Sequence, residues 1–172
     1  MRKSLLLCAI AFSFVFAGCM KDNSSGECPY QINNVPVPDA EVNDVQNFVA
    51  LNSAYSGAMK DNAGFYYIIE SLGTGETPNS LCNNVSVLYK GKLTNGSIFD
   101  QTTTSPATFI LGQLIEGWRR GLPLIKEGGK ITLILPPTLG YGNNEIKDPQ
   151  TGDVKIPANS ILIFELELKE VL

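Results

Sequence analysis

Histidine is absent from all 172 residues. The chain therefore lacks the side chain whose ordinary charge change falls near neutral pH. Ser-His-Asp and Cys-His nucleophilic catalysis go with it, as do the common His-containing metal sites. Carboxylates are present but show no motif spacing, so no metal ligand is assigned and no cofactor is expected. Positive charge is also scarce: 13 Lys plus Arg stand against 17 Asp plus Glu, for a net charge of −4. With no dense basic patch, nucleic acid is excluded as a partner. No apolar run reaches the roughly 20 residues of a spanning helix. Tryptophan occurs once, at Trp118, and neither an internal repeat nor a low-complexity tract is found.

The beginning of the chain reads as a leader. Arg2 and Lys3 form a positive start, Leu5 to Phe16 an apolar middle, and Ala17-Gly18-Cys19 a small-residue end. Residues 1–18 are expected to be a signal peptide. The run Phe16-Ala17-Gly18-Cys19 resembles a bacterial lipobox, although Phe16 stands where Leu is commoner. That resemblance implies lipidation of Cys19 and a lipid-anchored place in the bacterial cell envelope, at the periplasmic face or outer membrane. Three acyl chains exceed the two that already give stable anchoring. Cys8 leaves with the leader, which leaves Cys28 and Cys82 in an exported, oxidising setting. They either bridge or stand as two free thiols, because spacing alone does not place their Cα atoms.

Residues 19–38 read as a tether, flexible through Lys21 to Gly26 and stiffer through Val35-Pro36-Val37-Pro38. Asp39 is a candidate helix cap. The apolar positions Val42, Val45, Phe48, Val49 and Tyr55 predict a helix from there to about Met59. Residues 39–63 thus form a helical extension, whose residues 39–60 pack on their own domain or on a second copy. From residue 64 to 172 the period becomes that of strands. Phe65 to Ile69, Val85-Val87-Tyr89, Phe109-Leu111 and Ile131-Leu133-Leu135 are predicted strands, the last stopped by Pro136-Pro137. Leu162, Phe164, Leu166 and Leu168 line one face of a final strand, with Glu165, Glu167 and Lys169 opposite. One short helix is expected from Leu114 to about Leu122. The layout is α+β, an antiparallel half-open sheet wrapped around one short helix, with an N-terminal helical extension.

A series of fragments stands in fixed order: Val85–Leu93 (VSVLYKGKL), Asn95-Gly96, Phe99-Asp100, Phe109-Ile-Leu-Gly112, Ile115-Glu-Gly-Trp118, Gly121-Leu122, Gly128-Gly129-Lys130, Tyr141-Gly142, Ile156-Pro157 and Leu162–Leu168. Over residues 64–172 this series resembles the FKBP-type peptidyl-prolyl cis-trans isomerases. The resemblance implies a five- or six-stranded sheet with an aromatic pocket between sheet and helix. It further implies isomerisation of X–Pro bonds in proline-containing polypeptides, and macrolide inhibitors as further ligands. Residue by residue, it places Trp118 beneath a proline ring, with Phe99 and Phe164 as walls and Tyr89, Leu114 and Ile156 completing the binding surface. The Ile115 N–H and the Tyr141 hydroxyl hold substrate carbonyls, and Asp100 accepts hydrogen bonds at the rim. Two features depart from the family pattern. Ala107 replaces a frequent second aromatic, and the loop between Tyr141 and Ile156 is long, with turn signals that predict a small hairpin over the pocket. Both point to an alternative, a peptide-binding or chaperone module of the same fold with weak or no turnover.

Overall fold

The computed structural model describes residues 27–172. The leader and the candidate lipidation residue Cys19 lie outside the described residues. The first helix, α1, spans Asp39–Leu51. The strands that follow are β1 (Met59–Lys60), β2 (Tyr66–Ser71), β3 (Asn84–Leu93), β4 (Ile98–Gln101) and β5 (Ala107–Ile110). After them come helix α2 (Glu116–Gly121), β6 (Lys130–Leu135), β7 (Ile146–Lys147), β8 (Val154–Ile156) and β9 (Leu162–Val171).

Seven strands make one antiparallel sheet in the order β1-β2-β6-β9-β3-β4, with β5 also on β3. This is more than the five or six expected. The ten-residue β3 divides one edge between two partners, β5 on Asn84–Val87 and β4 on Lys90–Lys92, while β1 adds two residues at the far edge. β7 and β8 pair separately as the predicted small hairpin.

The alternation along β9 sorts the sheet into two faces. Leu162, Phe164, Leu166 and Leu168 join Ile131, Leu133, Leu135, Val85 and Val87 in the main core, against Trp118 and Leu122. Side chains on the opposite face come from the intervening positions. There Ile134, Ile163 and Tyr66 form a second cluster with Val45 of α1, and Thr132, Glu165 and Glu167 continue it as a polar lattice with Lys90, Lys92 and Lys130. Each fully buried aliphatic side chain contributes about 1.5–3 kcal/mol relative to exposure. Strict period-2 alternation therefore fixes which face each strand turns to which helix.

Three sequence expectations shift in the structure. Pro38, not Asp39, is the N-cap of α1, and it makes no side-chain capping bond. Asp39 lies inside the first turn, where its charge with that of Glu41 suits the positive end of the helix. Glu41 also accepts from the Thr138 N–H and hydroxyl, both at 2.9 Å, which docks the helix on the domain. α1 ends at Leu51 rather than near Met59 because Asn52 is extended and its side-chain amide donates to the Phe48 carbonyl. Tyr55 then packs on Phe48 from a short 3₁₀ turn, with ring centroids 5.6 Å apart, so the apolar period outlasts the helix. The apolar face of α1 lies on the chain's own sheet, with Val45 fully buried. The expected strand at 65–69 runs from Tyr66 to Ser71.

The tether expected over 19–38 is fastened from Cys28 onward. Cys28 and Cys82 form a disulfide with Cα atoms 5.6 Å apart. Tyr30 lies against Gly112 and accepts from Gln113. Arg120 donates to the Asn33 carbonyl at 2.7 Å, and Val37 packs on the main core. This strap crosses behind α2 and delivers the chain to the start of α1.

Candidate functional site: an aromatic cavity beneath a hairpin

Between α2 and the sheet lies a cavity of about 350 Å³. Its floor follows from how α2 begins. Leu114 and Ile115 are extended, so the helix starts at Glu116 rather than at the expected Leu114. Ile115 is the N-cap, and its carbonyl accepts from the Trp118 and Arg119 N–H groups. Its own N–H precedes the helix and takes no part in the helical ladder. Arg119 donates to the Leu114 carbonyl at 2.7 Å and pins this segment from behind. Gly117 lets α2 approach closely: a Cβ there would stand 2.3 Å from a Leu135 methyl.

That approach lays Trp118, 4% exposed, across the bottom of the cavity. Tyr89, Phe109 and Phe164 meet it edge-on at centroid distances of 5.3, 6.1 and 5.3 Å. Phe99 stands edge-on to Phe164 at 5.5 Å. Such T-shaped contacts add about 0.5–1.5 kcal/mol each beyond area burial, so the walls are stiff although the space between them is unfilled. β3 admits both phenyl rings only because position 91 is glycine, since a Cβ there would lie 2.4 Å from Phe99 and 3.0 Å from Phe164. The indole N–H of Trp118 is buried without a hydrogen-bond partner.

The polar groups sit at the mouth. The Tyr89 hydroxyl donates to Asp100 Oδ2 at 2.7 Å. Burial first, then the hydrogen bond to Asp100 and its negative charge, pushes the Tyr89 hydroxyl pKa well above its ordinary 10. Tyr141 is raised from the same value, by burial and then by Asp100. Both phenols remain donors throughout the neutral range. The β7–β8 hairpin closes one side with Ile146, Lys147, Pro149 and Lys155. Asp148 organises its tip by accepting from the Gln150 and Thr151 N–H groups and holding Lys155 at 2.8 Å.

The structure brings Tyr89, Phe99, Asp100, Leu114, Ile115, Trp118, Tyr141, Ile156 and Phe164, all nine site residues singled out from the sequence, around this one cavity. Sequence reasoning missed Phe109 as a lining residue, although it placed it in a strand and in the family fragment Phe109-Ile-Leu-Gly112. Phe109 faces the cavity through its register opposite Val85, whose side chain belongs to the main core, and that pairing is not written in the sequence. Sequence reasoning also missed the hairpin side chains that face inward.

A family model described as FKBP-type peptidyl-prolyl cis-trans isomerase matches residues 75–169. The chain belongs to this family. An FKBP relative from Buchnera aphidicola subsp. Schizaphis graminum, named FKBP-type peptidyl-prolyl cis-trans isomerase FkpA, is 46% identical over 121 residues, covering 69% of this chain and 45% of its own length. FkpA of Escherichia coli K12 is 40% identical over 117 residues, covering 67% and 40%. Its crystal structure superposes with a TM-score of 0.63 at 36% identity, covering 77% of this chain and 58% of that one. A peptidyl-prolyl cis-trans isomerase from Pseudomonas syringae pv. tomato gives 0.63 at 31% identity, over 80% of this chain and 98% of that structure. The chain spans about half the length of the curated FKBP relatives it matches.

Proposed function

We propose that this chain catalyses cis–trans isomerisation of X–Pro bonds in exported polypeptides. The observation that carries the reading is the aromatic cavity floored by Trp118, in a chain of this family. A proline ring seats on the indole between Phe99 and Phe164, with Tyr89, Leu114 and Ile156 completing the surface. The Ile115 N–H and the Tyr141 hydroxyl donate to carbonyls of the bound peptide. Asp100, engaged by Tyr89, holds the rim.

No nucleophile or proton shuttle is required. Rotation about the X–Pro bond is opposed by amide resonance, with a barrier of roughly 18–20 kcal/mol. Resonance places negative charge on the carbonyl oxygen, a form that water stabilises. A cavity walled by rings replaces that water and favours the twisted, less polar amide, while the fixed donors Ile115 and Tyr141 hold the substrate in the geometry where the twist develops. Macrolides that present a proline-like ring are expected to compete for the same floor. The test is isomerisation of a proline tetrapeptide in an uncoupled assay. Turnover that a tight-binding macrolide abolishes supports the reading. Peptide binding without turnover supports the chaperone alternative, which the small Ala107 on β5 favours.

The same reading places the protein in the bacterial cell envelope, anchored through lipid on Cys19. The leader pattern supports this, and among the described residues no helix is long and apolar enough to cross a membrane. A labelled fatty acid fed to expressing cells should mark the wild type and spare Cys19→Ser. Equal labelling of the two would remove the anchor.

A further inference from the structure

We infer that Lys147 and Lys155 make the cavity mouth selective for polypeptides carrying an acidic side chain next to the proline. The inference rests on the reading that proline occupies the floor, and it specifies which prolines are preferred. The hairpin segment 145–155 contains five charged residues: Glu145, Lys147, Asp148, Asp153 and Lys155. Only the two lysines line the cavity; none of the three carboxylates does. The hairpin thus brings both of its cations, each still about half exposed, to the edge of the cavity.

Lys155 is also held in place. Asp148 is fixed by two backbone N–H groups and grips Lys155 at 2.8 Å. One contact leaves an ammonium with two further donors. Lys147 lies 3.5 Å from Glu145, with both side chains about half exposed, a weak pair that a better-placed carboxylate can replace. The one carboxylate lining the cavity, Asp100, is engaged by the Tyr89 hydroxyl. Its charge, after the larger effect of Asp148, helps to raise the Lys155 pKa, so Lys155 stays cationic at all neutral pH values. The remaining lining is aromatic or aliphatic apart from the Tyr89 and Tyr141 hydroxyls. A peptide with proline on Trp118 must leave through this mouth. A carboxylate on the flanking residue gains a charge-assisted hydrogen bond there, whereas a flanking lysine meets two like charges.

The experiment uses the full chain in detergent micelles and two series of proline peptides. One varies the residue before proline as Glu, Gln, Leu or Lys, and the other varies the residue after it. Both kcat/KM and the affinity read from Trp118 fluorescence are measured. Expected is a preference for Glu over Gln of roughly fivefold in at least one series at low ionic strength, the size for unit charges a few ångströms apart near water. It should shrink to under about twofold at 1 M salt. Lys147→Gln with Lys155→Gln should erase the preference, and Lys147→Glu with Lys155→Glu should turn it toward the Lys peptides. Equal rates and affinities for Glu and Gln in both series overturn the inference, as does a preference that survives salt or both double variants. Fluorescence keeps the test independent of turnover. Binding with the acidic preference but without turnover sinks the isomerase reading and sustains this one. Leu-peptide turnover without the preference does the reverse.

Discussion

The two faces of the sheet are each covered by one helix, and the two coverings differ in completeness. On one face α1 brings 13 residues, about 20 Å of helix at 1.5 Å per residue. It closes a small cluster in which Val45 is wholly buried between Tyr66, Ile134 and Ile163. On the other face α2 has six residues, about 9 Å by the same rise. It reaches only part of the sheet, and the rest is walled by rings that lean on one another instead of collapsing. Packing is thus closed around Val45 and left open around the cavity. The strap from Cys28 to Val37 links the two coverings, since it runs behind α2 and ends at α1.

Each variant below bears on that contrast. Trp118→Ala should do most damage, because it removes both floor and core: about 3–5 kcal/mol of stability by urea unfolding, and at least a tenfold loss of kcat/KM, equivalent to about 1.4 kcal/mol of transition-state stabilisation. Near-normal turnover in a folded Trp118→Ala would show that the unfilled face owes nothing to its floor. Trp118→Phe should be milder, since the indole N–H bonds to nothing. Next comes the strap. The Cys28–Cys82 bridge spans 54 residues, and opening a loop of that length should cost about 4 kcal/mol in the chain-entropy model. Differential scanning calorimetry with and without reductant reads it; an unchanged Tm would mean the strap holds without the bond. Val45→Ala, on the closed face, should cost about 1.5–2.5 kcal/mol from lost methyl burial and the void left. Its kcat/KM should stay within about twofold of wild type, and a larger loss would couple the two faces.

The smallest expected effect is that of pH. Between about pH 6 and 8.5 no histidine titrates, and Tyr89 and Tyr141 are raised from 10, farther from that window. Their protonated forms favour the folded state. This contribution is complete below pH 10 and is lost only as pH rises through the folded values, so it is constant in the neutral range. kcat/KM at fixed ionic strength should therefore be flat, whereas a bell with a limb near neutrality would reveal an acid–base step.

What the sequence disclosed follows the range of the forces involved. β9 was legible because Leu162, Phe164, Leu166 and Leu168 alternate with charge, and alternation is local. The cavity residues lie on separate elements, and only their joint order, matched to a family, drew them together. The end of α1 was misread because Tyr55 keeps to the apolar face after the backbone has left the helix. The disulfide stayed open because the approach of Cys28 to Cys82 depends on how the strap crosses the domain. That Lys147 and Lys155 border the cavity depends on the irregular β7–β8 pairing, Ile146 opposite Ile156 and Lys147 opposite Val154, which is not visible from charge or spacing.

The position of the disulfide has a mechanical consequence. Cys28 precedes the strap and α1, while its partner Cys82 lies two residues before β3, a strand paired along its length with β9. Tension applied to the chain ahead of Cys28 passes through the sulfur–sulfur bond straight to the threshold of the central strands. The strap, α1, β1 and β2 all fall within the bridged loop and are bypassed by the load. Once oxidised, the domain cannot be peeled open from its N-terminal end one element at a time, because the load enters at the start of β3, where Val85 pairs with Val171 at the end of β9.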